Sequence, residues 1–177
     1  MYQLLLNREI YEILVQERIP LAKKFIWIVT ADIKDMHVKM HGGFAPFLQL
    51  LAELVSNGVA VRLIHAKEPG PRFREDFDHY EELVNSDLFE RILCPRVHTK
   101  AVVIDNEIAF VGSANLTGAG MGGKHEDKRN FEAGFLFDDT DEVDRLTAWI
   151  DQLYLGIYCQ TCRRRDYCPD PIDEYHA

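Results

Sequence analysis

Basic charge is scarce in this sequence. Twenty lysines and arginines stand against 29 aspartates and glutamates, a formal net charge of −9. So acidic a chain is no general nucleic-acid coat, and any phosphate-binding surface on it has to be local. Long hydrophobic runs are missing as well. The opening MYQLLLNREIYEILVQERI meets Asn7, Arg8 and Glu9 directly after its leucines, and no run reaches the ~20 apolar residues of a membrane span. That opening also has no basic segment ahead of an apolar one, so it does not read as a secretory signal. A soluble cytoplasmic protein is expected. No internal repeat and no low-complexity tract is present. Cysteine is sparse and uneven, with three of the four residues beyond position 157.

What is present suits one domain. At 177 residues and 47 % apolar composition the chain can bury a sizeable core. Ile10, Tyr11, Ile13 and Leu14 recur at helical spacing within 7–19, which predicts an N-terminal helix. KFIWIVTADI and VAVRLIHA read as buried strands, rich in β-branched and aromatic residues. Between them GGFAPFLQLLAELVSNG reads as a helix with Phe47, Leu48, Leu51, Leu54 and Val55 on one face, closed by Asn57-Gly58. Strand, helix and strand in that order predict a parallel pair with a right-handed crossover.

After a turn at EPGPR, a helix carrying Phe73, Phe77, Tyr80, Leu83 and Val84 is expected, then a short strand at FERILC. A hairpin over 98–115, a Gly-rich polar loop at MGGKHEDKR and a strand at NFEAGFLF follow. An amphipathic helix then places Val143, Leu146, Ile150, Leu153 and Ile157 inward, with Asp138 or Asp139 as its N-cap. The expected fold class is α/β: a mixed sheet flanked by helices on both faces, residues 1–157 forming the domain and 158–177 a cysteine-containing tail packed on it.

The segment HTKAVVIDNEIAFVGSANLT carries polar groups that a buried hairpin does not need. If Asn106-Glu107 is a two-residue turn, His98 stands opposite Asn115 and Lys100 opposite Ser113, all on one face. A slip of one residue would scatter them. Gly112 would leave room for a ligand to approach the backbone. Such a patch suits a phosphodiester: Lys100 supplies a cation, Ser113 and Asn115 supply neutral donors, and His98 is both a nucleophile and a proton carrier near neutral pH. No carboxylate pair shares the patch, so nothing in it demands a divalent metal. The pair His37-x-Lys39 has no such context and reads as a polar loop after the first strand.

The pattern His98-x-Lys100-x4-Asp105-x6-Gly112-Ser113-x-Asn115 resembles the HKD motif of the phospholipase D superfamily, and NGVAVRLI and NFEAG resemble flanking segments of that family. The resemblance spans most of residues 25–155. It implies an α/β sandwich and a covalent phosphohistidine mechanism that needs no cofactor. His98 would be the nucleophile, and Lys100, Ser113 and Asn115 would hold the phosphate, with Asn130 as a further contact. Glu132 matches the acidic residue that orients the histidine ring. Asp105 and Gly112 would serve structural roles at the motif. Only one such motif is present, where a phosphohistidine mechanism needs a second acid and base. The short forms of the superfamily meet that need by pairing two copies, which implies a C2 homodimer with the two His98 side chains meeting across it.

Short single-motif members resemble nucleases, and no amphipathic membrane helix is evident, so DNA or RNA is the expected substrate. Lys124, Lys128 and Arg129, with His125, could contact nucleic acid from the Gly-rich loop, and Arg72 and Arg74 from another loop. A phospholipid or small-phosphodiester hydrolase is the alternative. A non-catalytic interaction subunit is a further one.

The cysteines form a second pattern. Cys159-x2-Cys162-x5-Cys168, followed by Pro169 and joined to the remote Cys94, resembles locally the iron–sulfur clasp of some RecB-type nucleases. Thiolates suit a structural [4Fe–4S] cluster or zinc, and free or disulfide-bonded cysteines are the other expectation. Arg163, Arg164 and Arg165 would offset the negative charge of a metal site, and His176 could replace one ligand.

Overall fold

The protein is described here by a computed structural model covering residues 1–34 and 36–173. In chain order its strands are β1 (Tyr2–Leu6), β2 (Phe25–Thr30), β3 (His37–Met40), β4 (Gly43–Pro46), β5 (Ala60–His65), β6 (Phe89–Leu93), β7 (Lys100–Ile104), β8 (Ile108–Gly112) and β9 (Ala133–Phe137). A helix wound in π turns spans Ile10–Arg18, and the α-helices are α1 (Phe47–Ser56), α2 (Pro71–Asp78), α3 (Glu81–Val84) and α4 (Thr140–Tyr154). Seven strands form one mixed sheet in the order β1-β9-β8-β7-β2-β5-β6. β2, β5 and β6 run parallel, and β7, β8, β9 and β1 pair antiparallel.

The central strands have no solvent face. Every residue of β7 is buried, as its unbroken KAVVI run requires of a strand covered on both sides. On one face Ile26, Ile28 and Val102 pack with Leu51, Leu54 and Phe73 under the N-terminal helix and α1–α3. On the other, Val29, Val103 and Ala109 pack beneath Val143 and Ile150 of α4. The expected α/β class, with helices on both faces, is the observed one. Asp139 caps α4, accepting from the Glu142 amide at 3.2 Å. Arg62 holds the other end of α4: its guanidinium lies over the rings of Trp27 and Tyr154, 4.1 and 3.6 Å from their centroids, and is ion-paired with Glu90 and Asp151. Burial, reinforced by a hydrogen bond to Glu90, pushes the Tyr154 phenol up to about 12.

Several elements differ from the sequence reading. β1 precedes the first helix and closes the sheet edge against β9; Leu5 is buried while Leu4 and Leu6 face outward, a period-2 pattern too short to stand out beside the helical one. His37-x-Lys39 lies on β3, which forms a hairpin with β4 rather than a loop. Its turn residues His41 and Gly42 take φ of 52° and 80°, as a tight hairpin turn requires. α1 starts only at Phe47, because Pro46 is held in an extended conformation at φ −57° and ψ 144°. The expected helix after EPGPR breaks at Tyr80 into α2 and α3.

The hairpin of the motif differs in its turn. β7 and β8 pair Lys100 with Gly112 and Ile104 with Ile108, so three residues, not two, make the connection. Asp105 and Asn106 both lie in the left-handed region, at φ 57° and 59°, a conformation that Asp and Asn tolerate better than most residues. The Asp105 carboxylate accepts from the amides of Lys23 (2.8 Å), Lys24 (2.7 Å) and Phe25 (2.9 Å), and its own amide donates to the Phe25 carbonyl at 2.9 Å. Asp105→Ala should therefore destabilise the fold by about 3 kcal/mol, since three amides lose a charged acceptor. Asp105→Asn, which keeps an accepting oxygen, should recover part of that. Urea unfolding measures both, and wild-type stability in Asp105→Ala would refute the anchoring role.

His65, at the end of β5, is fully buried. Its Nδ1 donates to the Lys67 carbonyl at 2.7 Å, and its Nε2 has no hydrogen-bond partner. Burial lowers its pKa from 6.5. The folded state thus keeps the ring neutral while the unfolded chain takes up a proton, and stability present above pH 6.5 is lost as pH falls below it. Thermal unfolding between pH 7.5 and 5 should show this loss in the wild type and a smaller one in His65→Asn, which keeps a donor for Lys67 and cannot titrate.

Candidate active site

The motif residues meet where three strand ends meet: the start of β7, the end of β8 and the start of β9. Lys100 opens β7 and is buried, at 8 % exposure. Its ammonium donates to the His98 carbonyl at 2.6 Å and lies 3.4 Å from the His98 Nε2. It forms no ion pair among the described residues. His98 precedes the strand and its side chain is exposed. A buried cation is thus held beside an accessible imidazole, with its charge not yet neutralised.

Ser113 and Asn115 lie past the end of β8, so the strand ladder does not place them directly opposite Lys100 and His98 as a two-residue turn would have done. Other contacts fix them. Ser113 Oγ donates to Glu132 and accepts from the Ala133 amide at 3.1 Å. Asn130 Nδ2 donates to the other Glu132 oxygen at 3.0 Å. The hydrogen bonds of Glu132 therefore go to Ser113 and Asn130 rather than to the His98 ring that the family resemblance implies. Asn115 Oδ1 accepts from the Asp32 amide at 3.0 Å, with Thr30 Oγ1 at 3.4 Å. That leaves the Asn115 amide nitrogen as its donor.

Two supporting residues escaped the sequence reading. Asn7, at φ 51°, brackets Glu132 from the start of the chain: its amide donates to the Glu132 carbonyl at 2.8 Å and its side-chain oxygen accepts from the Glu132 amide at 3.0 Å. Thr30, at the end of β2, accepts from the Leu116 amide at 3.0 Å. Neither belongs to a motif, and only the approach of β1 and β2 to the hairpin gives them a role.

Gly112 answers to packing rather than to a ligand. A Cβ there would lie 2.8 Å from the Phe110 ring and 2.7 Å from the Ala133 carbonyl, and a Cβ at Gly134 would lie 2.4 Å from the same ring. Phe110 is fully buried across both glycines, which holds β8 and β9 close beneath Ser113.

The basic residues divide. Lys124 and Lys128 are exposed. Arg129 is nearly covered and stands 4.0 Å from Glu126, while His125 pairs with Asp127 at 2.6 Å. Arg72 and Arg74 lie on α2 rather than in a loop. Between Asn130 and Glu132, Phe131 is 97 % exposed.

Beside His98 opens a cavity of about 310 Å³ into which all four cysteines reach, together with Arg96 and Trp149. The tail folds back to form it. Arg164 donates to the Pro95 carbonyl at 3.0 Å, and Asp170 accepts from the Leu93 amide at 3.0 Å. Burial pushes the Cys94 thiol up, with Cys168 and Cys159 adding to the effect. The Arg164 amide and the Arg96 side chain bring the Cys162 thiol down. Among the described residues no group of three or more His, Cys, Asp or Glu side chains is placed to hold a metal ion, so no preformed centre backs the expected zinc or iron–sulfur site. His176 lies outside the described residues.

No helix among the described residues is long and apolar enough to cross a membrane. No curated protein matches this sequence. Among solved structures, the chain is similar to NucT from Helicobacter pylori, with a TM-score of 0.62 and 17 % identity over 86 % of this chain and 95 % of that one. It is also similar to Nuc from Salmonella typhimurium, a phospholipase D family member, with a TM-score of 0.60 and 17 % identity over 86 % and 92 % of the two chains. TrmBL2, an archaeal chromatin protein with a novel mode of DNA binding, shares the fold at a TM-score of 0.57 and 13 % identity, over 86 % of this chain and 51 % of that one. The family model described as "Cardiolipin synthase, PLD-like domain" matches residues 15–154, and with the motif and the fold in agreement, the chain belongs to the phospholipase D-like family.

Proposed function

We propose that this chain is a metal-independent, cytoplasmic nuclease that cleaves DNA or RNA through a covalent phosphohistidine at His98 and works as a homodimer. The observation that carries this reading is the buried Lys100 ammonium, without an ion pair, beside the exposed His98 ring. A phosphodiester supplies the anion that this lysine lacks, with the Asn115 amide nitrogen as a further donor to its oxygens, joined by Ser113 Oγ once its hydrogen turns from Glu132. Neutral His98 attacks phosphorus. The P–N bond forms as the P–O bond to the leaving strand breaks, and the leaving oxygen takes a proton from the second copy's histidine. That histidine then deprotonates a water, which attacks phosphorus and releases His98. Glu132 positions Ser113 and Asn130. Exposed Phe131 offers a stacking surface for a base next to the phosphate site, as sequence-tolerant strand binding uses, and Lys124 and Lys128 add charge nearby.

The nuclease reading is preferred to a lipid one because NucT and Nuc, which match over most of both chains, bear nuclease names, although the family description names cardiolipin synthase. In EDTA, cleavage of single-stranded DNA, duplex DNA or RNA is expected, with no turnover of a phospholipid panel. His98→Ala should abolish it, and Lys100→Ala should lower kcat/KM at least 10²-fold, about 3 kcal/mol. Identical behaviour of wild type and His98→Ala in every assay would leave the interaction-subunit reading. Phospholipid turnover without nucleic-acid cleavage would leave the lipase one.

An exposed apolar row supports the homodimer. Leu4, Phe135 and Val111 are cross-strand neighbours on β1, β9 and β8, at 49 %, 51 % and 37 % exposure, on the part of α4's sheet face that the helix leaves uncovered. The row runs next to Ser113. Phe135→Arg should turn the dimer into a folded monomer in sedimentation velocity and remove activity with it. An active monomer would refute the pairing.

A further inference from the structure

All four cysteines of the chain line one cavity, although 65 positions separate Cys94 from Cys159. Each is half-buried and none is disulfide-bonded. A zinc ion would draw its sulfurs to one point, about 3.8 Å from each other for Zn–S bonds of about 2.3 Å. The described residues contain no such convergence. The four thiols instead border a space of about 310 Å³. An iron–sulfur cubane asks for that arrangement, because each thiolate binds a different corner iron and the four stand apart around a core. The cluster with its thiolates is anionic, and Arg96 and Arg164 line the cavity with no ion pair among the described residues. Trp149 and Leu153 of α4 supply an apolar wall, which shields a cluster from water and oxidant.

We propose that Cys94, Cys159, Cys162 and Cys168 bind a [4Fe–4S] cluster in this cavity. Each thiol releases its proton as its sulfur bonds to iron, and the protein undergoes no redox change. The cluster pins the tail to the segment between Cys94 and Lys100, and His98 on that segment lines the same cavity. It acts as a structural clasp behind the nucleophile, independent of whether the substrate is nucleic acid.

The test is anaerobic purification, with iron and sulfide reconstitution of any colourless fraction. A brown protein with about four iron and four sulfide per chain is expected, its broad visible absorption bleached by dithionite. Catalytically silent His98→Asn should carry the same iron, which separates this inference from the nuclease reading. Cys94→Ser should lower iron content as far as Cys159→Ser does, since the remote cysteine is one of the four ligands. Hydrogen exchange should show faster exchange of the amides between residues 96 and 100 once the cluster is removed. A colourless chain carrying zinc, a metal-free chain with four titratable thiols after reconstitution, or a native disulfide among these residues would overturn the proposal.

Discussion

The Asp105 carboxylate bonds to three consecutive amides at the entry to β2, and the placement of the candidate active site depends on that anchor. It holds a three-residue turn with two left-handed residues, and the turn decides that Lys100 pairs with Gly112. Side chains alternate along a strand, so register determines which face each residue serves. With this register Lys100 is buried at the start of β7, while Ser113 and Asn115 are freed from the ladder and held by side-chain bonds. The aspartate of the motif acts on chemistry through geometry, from the far end of the hairpin.

The sheet handles two cations in opposite ways. Arg62 is enclosed by two aromatic rings and two carboxylates. Its charge is satisfied, and it secures α4. Lys100 has a carbonyl and an imidazole as partners and no carboxylate. Burial of an unpaired ammonium costs free energy, and under the proposed function a phosphate would offset that cost on binding. The acidic surface of the whole chain and a phosphate site are therefore compatible, because the site's charge is local and partly desolvated.

Glu132 shows how a site is supported from outside its motif. Its carboxylate spans Ser113 and Asn130, and its backbone is gripped on both sides by Asn7. Phe110, lying across Gly112 and Gly134, sets the spacing of the strands that carry these groups. Small residues and a buried ring thus fix the floor on which the polar residues stand.

Read alone, the sequence determined the α/β class, the central strands, α4 and the six-residue motif. Each of these is encoded locally: by continuous β-branched runs, by a period of 3.6, or by fixed spacing. It could not determine the turn. Asp-Asn-Glu and a two-residue Asn-Glu turn are equally open until the Asp105 carboxylate finds amides 80 positions away. Nor could it show β1, whose period-2 pattern gains meaning only beside β9. Asn7 and Thr30 were invisible as site residues for the same reason: their roles come from contacts between distant segments. The sequence joined Cys94 to Cys159, Cys162 and Cys168 only through a resemblance, and the return of the tail after α4 is what places the four on one cavity. Tertiary structure decided these points because hydrogen bonds and packing between remote segments outweigh any preference that a short stretch of chain carries by itself.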